Sequence, residues 1–386
     1  MLTVLTGATG FLGSHLLVRL LRHPGEVTAL VRRDGEAGWQ RLERALAATG
    51  EPVPDDLRTR VRLERADLAE PLLGLTPDRH RELARQADAV WHSAATLDLA
   101  TSLDDLAEVN VEGTRRVLDL AAASPGPLPR VVVVSSAYVA GGRLEGTVRE
   151  DELDDSQGFL TPYEESKHAA EQVVHAWARE HRHPVTVLRP AVLTTDRPLP
   201  SGAPRHPLAE AGARLALLAR LDRSRLFPGT GIDSDDPLTV PIPGHEGAGL
   251  NLVQVEYAAE AAVRLALRAP DPAPDRLVET FHLTHPRDTP VRDCLAVMRE
   301  LCPWLEPRID PRATLRSLGP GESALLRAMG GVHAYTYVRR RYDRTALLGA
   351  LKGCVPDPPA PDIRYLAAAF RGALPARRPD PATASA

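Results

Sequence analysis

Tyr163 and Lys167 stand four residues apart in Tyr163-Glu164-Glu165-Ser166-Lys167, at the head of a stretch with helical spacing over 163–181. Four residues along a helix bring two side chains onto one face. A phenol with a pKa of about 10 is a poor acid–base group at neutral pH. A cationic amine beside it favours the phenolate and lowers that value. The pair therefore predicts a tyrosine tuned for proton transfer by a neighbouring ammonium. Composition singles out this lysine, because of 47 Lys and Arg residues only Lys167 and Lys352 are lysine. Where arginine fills nearly every basic position, a retained amine points to chemistry that a guanidinium cannot copy. The plain alternative is an exposed tyrosine and lysine on a solvated helix face.

A second cluster opens the chain. Gly7-Ala8-Thr9-Gly10-Phe11-Leu12-Gly13 follows the apolar run Leu2 to Thr6 and leads into an amphipathic stretch, Ser14 to Arg22. In that context Gly7 makes a tight turn, Gly10 lets backbone approach a pyrophosphate, and Gly13 lets helix and strand close together. The helix N-terminus then faces the phosphates, with Thr9, Phe11 and Leu12 lining the same turn. An NAD site usually carries an acidic residue at the end of the second strand. Here the chain reads Leu30-Val31-Arg32-Arg33, and Asp34 falls in a loop. A guanidinium matches a ribose 2′-phosphate bidentately, so NADPH is the expected cofactor. Two solvated arginines in an arginine-rich chain are the bland explanation.

The elements that must position these groups alternate. Apolar runs at Leu2–Thr6, Val27–Val31, Val61–Glu64, Ala89–His92, Val131–Ser135 and Val185–Leu188 read as strands, with helical stretches near 36–48, 78–87, 103–123 and 163–181. Nearly unbroken apolar strands between helices predict an α/β fold, a doubly wound parallel sheet covered on both faces. Residues 1–195 form this Rossmann-type domain, with 250–268 returning to it. Only eight of the 35 prolines lie in residues 1–150, so the second half is more irregular. Residues 196–249 and 269–374 are expected to form a smaller, mostly helical substrate lobe, with helices near 207–221 and 290–301, and the returning segment carries another near 255–268. Arg197-Pro198-Leu199-Pro200 and Asp271-Pro272-Ala273-Pro274 read as loops, and 375–386 as a disordered tail.

Composition excludes other classes. Hydrophobic residues at 43% and charged residues at 25% are ordinary for a globular chain, and the net charge of −4 offers no field for nucleic acid or anionic lipid. No apolar run approaches the roughly 18–20 residues of a membrane span, and the N-terminus reads as a strand rather than a signal peptide. Cys294, Cys302 and Cys354 are odd in number and widely spaced, which argues against disulfides or zinc and for a reducing cytoplasm.

The glycine turn and the Tyr-Lys pair are joined in order by Asp67-Leu68, His92-Ser93-Ala94-Ala95, Asn110-Val111-Glu112-Gly113-Thr114, Ser135-Ser136-Ala137-Tyr138 and Leu188-Arg189-Pro190. Together they resemble the extended branch of the short-chain dehydrogenase/reductase superfamily over residues 1 to about 195. Within it, LVRR followed by Gln40-Arg41-Leu42, HSAA and SSAYVAG look most like the fatty acyl and thioester reductases, the male-sterility-type NAD-binding subfamily. The resemblance implies that Asp67 and Leu68 lie against the adenine and that Ala94 and Ala95 line the adenine-ribose side. Pro190, Ala191 and Val192 would approach the nicotinamide carboxamide. Arg32, with Arg41, would hold the 2′-phosphate. It also implies a catalytic set: Ser136 bonding the substrate carbonyl, Tyr163 giving the proton, Lys167 holding the phenolic pKa near working pH and reaching the nicotinamide ribose, and Asn110 holding a water that relays protons to Lys167.

The expected activity is hydride transfer from NADPH to an activated acyl group, a CoA or carrier-protein thioester, giving an aldehyde or alcohol. The acyl carrier would arrive in trans, and a homodimer is a further expectation. The alternative is an extended dehydrogenase or epimerase acting on a ketone, alcohol or nucleotide sugar, which would use the same four residues. A non-enzymatic redox sensor on this fold would not need the Tyr-Lys pair. His175, His181 and His183, like His282 and His285, read as surface side chains rather than metal ligands, so no metal is expected. Arg339-Arg340-Arg341 reads as ordinary surface, with a grip on a CoA phosphate or acidic carrier as the alternative. The leucines from Leu208 to Leu221 are core or the wall of an acyl pocket.

Overall fold

The apolar runs become a seven-stranded sheet, paired in parallel throughout. Its strands are β1 (Leu2–Thr6), β2 (Glu26–Val31), β3 (Val61–Arg65), β4 (Ala89–His92), β5 (Arg130–Val134), β6 (Val185–Pro190) and β7 (Val278–Leu283), in the order 7-6-5-4-1-2-3. The computed structural model describes residues 1–97, 102–220, 237–268, 277–328 and 332–374. The tail from 375, the Asp271–Pro274 segment and residue 221 lie outside the described residues.

Successive strand residues face opposite sides of a sheet, and both sides here are buried. Leu5, Ala29, Val31 and Val132 enter one core with α1 (Phe11–Leu20), α2 (Gly35–Ala47) and α7 (Val255–Leu267). Val4, Leu30, Val131 and Val133 enter the other, with α3 (Pro77–Gln86), α4 (Gly113–Ala122) and α5 (Pro162–His181). A third core belongs to the lobe: α6 (Pro207–Leu218), α8 (Val291–Leu301), α10 (Ile363–Arg371) and the parallel pair Leu238–Pro243 with Leu305–Asp310. There α6 meets α10 at Gly212, where a Cβ would sit 1.8 Å from the Phe370 carbonyl oxygen.

Strand β7 corrects the expected boundary, since residues 269–374 were assigned to the lobe. It pairs with β6 from Val278–Val185 to Leu283–Pro190 and forms the sheet edge. Polar Glu279, Thr280 and His282 interrupt its apolar residues, so it lacks the continuous pattern of a central strand. Helix α9 (Thr345–Leu351) likewise gives Leu347 and Leu351 to the sheet core. The stretch 103–123 is not one regular helix: a turn of α-helix, Leu103–Ala107, passes through a π-helical turn, Glu108–Glu112, before α4. Three residues read as surface are buried. His282 is 0% and His285 2% exposed, and Arg340 is 1% exposed beneath the rings of Tyr138 and Tyr342.

Candidate active site

Strand order reverses between β1 and β4, and an open parallel sheet binds ligands at the carboxyl ends of the strands flanking such a point. The glycine turn lies there. Gly7 has φ +78°, and a Cβ on it would lie 2.7 Å from the Ala94 nitrogen. On Gly13 a Cβ would lie 1.9 Å from the Gly7 carbonyl oxygen, so α1 closes on the strand end as expected. Gly10 is the N-cap of α1 and supplies no capping side chain, leaving the first turn for a ligand. Thr6 Oγ1 accepts from the amides of Ser93 and Ala94 at 3.1 Å and meets His92 Nδ1 at 2.9 Å. The opposite nitrogen of His92 meets Thr114 Oγ1 at 3.0 Å. That network fixes the floor between β1, β4 and α4.

A cavity of about 360 Å³ opens over this floor. It is lined by Gly7, Thr9, Gly10, Phe11, Leu12 and Gly13, by Arg32 and Arg41, and by Asp67, Leu68, Ala94 and Ala95, with Thr6, Ser93, Thr96 and Val109 in addition. Arg32 and Arg41 make no ion pair among the described residues. Burial and the like charges of Arg32, Arg33 and Arg44 hold the Arg41 guanidinium below its ordinary value. Mutually repelling cations beside this cavity suit an anionic group. The residues present therefore fit a dinucleotide, with the glycine cradle for its pyrophosphate and the arginines lining the same cavity.

A second cavity of about 230 Å³ shares Phe11, Leu12, Ser93 and Ala95 with the first. It collects Tyr163, Lys167 and Ser136 with Pro190, Ala191 and Val192. Thr161 caps α5 and Pro162 starts it, which sets Tyr163 in the first turn. Ser136 follows β5 and caps a short 3₁₀ turn, Ala137–Ala140, accepting from the Tyr138 amide at 3.2 Å. Its hydroxyl and the Tyr163 phenol line the same cavity.

The electrostatics reverse one expectation. The phenol is not acidified: burial pushes Tyr163 up to about 12, and the Ser136 hydroxyl only partly offsets this. Lys167 is turned elsewhere, its Nζ donating to the Val134 carbonyl of β5 at 2.9 Å. Burial pulls that amine down to about 8, against the opposing charge of Glu171. Asn110 lines neither cavity. It is 1% exposed in the π-helical turn, where its side chain clamps the amide and carbonyl of Thr96 at 2.9 and 3.1 Å and donates to Ser166 Oγ at 3.0 Å.

Other walls come from distant segments. Tyr138 and Tyr335 meet edge to face, 4.6 Å between centroids, and both face the second cavity. His206, the N-cap of α6, lies 5.2 Å from the Phe11 ring. Leu193, Leu208, Leu250 and Leu252 complete an apolar wall, with Arg205 beside them. Leu208 thus serves both the lobe core and the cavity. Among the described residues, no group of three His, Cys, Asp or Glu side chains is placed to hold a metal ion, and no helix is long and apolar enough to cross a membrane.

Comparison with known proteins places this architecture. The NAD-binding family model described as "male sterility protein" matches residues 5–217, more than half of the chain. The chain belongs to that family. This male sterility family member has the fold of the extended short-chain dehydrogenase/reductases. It is 37% identical over 188 residues to an isonitrile lipopeptide synthase of Streptomyces coeruleorubidus, covering 48% of this chain and 13% of that one. It is 33% identical over 198 residues to the aldehyde reductase lnaA of Aspergillus flavus, covering 49% and 19%. The chain therefore spans only a small part of either relative. A solved structure, the terminal R domain from the myxalamid PKS-NRPS biosynthetic pathway, superposes with a TM-score of 0.73 at 25% identity, over 97% of this chain and 90% of that one.

Proposed function

We propose that the protein is an NADPH-dependent reductase of an activated acyl group held as a thioester, on CoA or on an acyl carrier. One observation carries this reading: Tyr163, Ser136 and Lys167 open onto a cavity whose walls are largely aliphatic, Val134, Val192, Leu193, Leu208, Leu250 and Leu252 among them. Such walls suit an acyl chain, and they offer few of the polar partners that a sugar ring requires. Names among its relatives add support, since one is a lipopeptide synthase and another an aldehyde reductase.

Ala191 and Val192 would hold a reduced nicotinamide, which when bound would supply hydride. Ser136 donates to the carbonyl oxygen as negative charge develops there, and Tyr163 gives that oxygen its proton. A phenol near 12 is fully protonated at neutral pH, the form that reduction requires. Lys167, as an ammonium, stabilises the phenolate left behind. With a thioester, the resulting hemithioacetal expels thiol and leaves an aldehyde. A second round gives an alcohol.

NADPH oxidation followed with an acyl-CoA, an acyl-carrier thioester, a ketone and a nucleotide sugar tests the substrate class. Turnover with the thioesters is expected; turnover with the ketone or sugar alone overturns the reading. The alkaline limb of kcat also follows from the site. Lys167 is charged below about 8 and neutral above it, whereas Tyr163 keeps its proton to about 12. Turnover should therefore fall as pH rises through about 8, with an apparent pKa that belongs to the amine. A rate that stays flat to about pH 10 would remove Lys167 from the mechanism.

A further inference from the structure

Ser135, the neighbour of the site serine, gives its hydroxyl to something else. It donates to Oε2 of Glu171 at 2.5 Å. Glu171 stands one turn beyond Lys167 and two beyond Tyr163 on α5, on one face of the helix. Its carboxylate is buried and takes Nη2 and Nε of Arg189 at 2.5 and 3.1 Å. Arg189 comes from β6, directly before Pro190, and its remaining nitrogen meets the Glu150 carbonyl and His282 Nε2 at 3.4 Å. Packing alone does not explain such a pair, because two apolar side chains of the same volume often stabilise a core equally well or better. Its location offers another reason. Lys167 and Glu171 lie one turn apart on α5 and reach adjacent residues, the amine to the Val134 carbonyl and the carboxylate to Ser135, so the carboxylate stands on the same side of the helix as the buried amine.

We propose that Glu171 is a positioning residue: paired with Arg189 and tied to β5 by Ser135, it supplies the charge that keeps Lys167 an ammonium inside the buried site. The other groups facing Lys167 cannot do this. His92 on β4 is neutral, drawn down to about 3 by burial, with both ring nitrogens engaged by Thr6 and Thr114. Strand β5 offers the Val134 carbonyl, and Tyr163 is a protonated phenol. Glu171 itself is faced by Arg189, by Ser135, and by His175 at 3.8 Å and His168 on its own helix. Arg189 holds the carboxylate ionised, at about 2 despite its burial.

The proposal deepens the reductase reading, yet its main test does not depend on turnover. The chain has two lysines. Protein labelled with ¹³C at lysine Cε therefore gives two resonances, and Lys352→Arg identifies the one from Lys167. Titration of that resonance is expected near pH 8 in the parent protein. Glu171→Gln should lower it by about one unit. That variant leaves Arg189 buried and unpaired, which can cost about 3–5 kcal/mol and unfold the chain, so Glu171→Gln/Arg189→Met is made beside it. This pair should fold, bind NADPH as the parent does, and carry the alkaline limb of kcat downward with the lysine, with roughly fivefold less turnover at pH 8. Glu171→Asp should restore both. A folded double variant whose Lys167 titrates where the parent's does overturns the proposal. If the resonance shifts while the parent reduces no thioester, the positioning role stands and the reductase reading fails.

Discussion

Tyr163→Phe is expected to lower kcat by about 10³-fold while changing NADPH affinity by less than about twofold. The substitution removes one oxygen and leaves the ring, so the packing of α5 and the wall of the second cavity persist. What is lost is the proton donor. The phenol at about 12 is protonated across the physiological range, and Ser136 faces the same cavity from the turn after β5. Ser136 can still donate to the carbonyl in the variant, which is why loss should be severe rather than total. The split between kcat and cofactor binding is the diagnostic part, measured by steady-state turnover and by fluorescence titration with NADPH. Retention of more than about a tenth of the parent rate would remove Tyr163 as the acid.

The reversal at Tyr163 also marks where reading the chain stops. Spacing of four residues puts a phenol and an amine on one face, and that was legible. The direction in which the amine points was not, because the Val134 carbonyl that holds it comes from a strand some thirty residues earlier. The chemistry tolerates the difference. A raised phenol is the right form for reduction, and the ammonium acts on the phenolate that appears only once the proton has moved.

The glycine turn was legible for a different reason. Gly7 and Gly13 answer local steric demands, a positive φ and a close approach to backbone, which few other residue types meet. The residues around Arg32, Asp67 and Ala94 follow because strand ends in a parallel sheet lie at one edge. By contrast, Tyr138, His206, Leu250 and Tyr335 converge on the second cavity from four separate segments. No local pattern announces such a meeting. The buried Glu171–Arg189 pair is hidden likewise, since one glutamate among the four of this charged helix reads as surface until β6 is seen beneath it. Strand β7 escaped because half of its residues are polar, and Asn110 appeared as one of two asparagines without any sign that its side chain would be spent on Thr96 and Ser166.

Arg32→Ala is expected to weaken NADPH binding by about 30-fold and leave NADH within about twofold. Arg32 lines the cofactor cavity at the end of β2, with no carboxylate paired to it among the described residues. A guanidinium held there gains little from an NADH ribose, whose hydroxyls carry no charge. A 2′-phosphate offers it charge-assisted hydrogen bonds worth about 2 kcal/mol, which is the origin of the predicted factor. Arg41 should behave differently. Burial and the neighbouring cations already hold its guanidinium below the ordinary value, so a bound phosphate relieves repulsion among Arg32, Arg33, Arg41 and Arg44 as a group. Arg41→Ala removes one member of that group and one source of repulsion, so its effect on NADPH should be smaller than that of Arg32→Ala. Binding of both dinucleotides to the two variants, measured at several salt concentrations, separates the roles, because the phosphate-dependent part must shrink as salt rises. Equal losses of NADPH and NADH in Arg32→Ala would mean that this arginine shapes the cavity without reading the phosphate, and the proposed preference for NADPH would then rest on Arg41 alone.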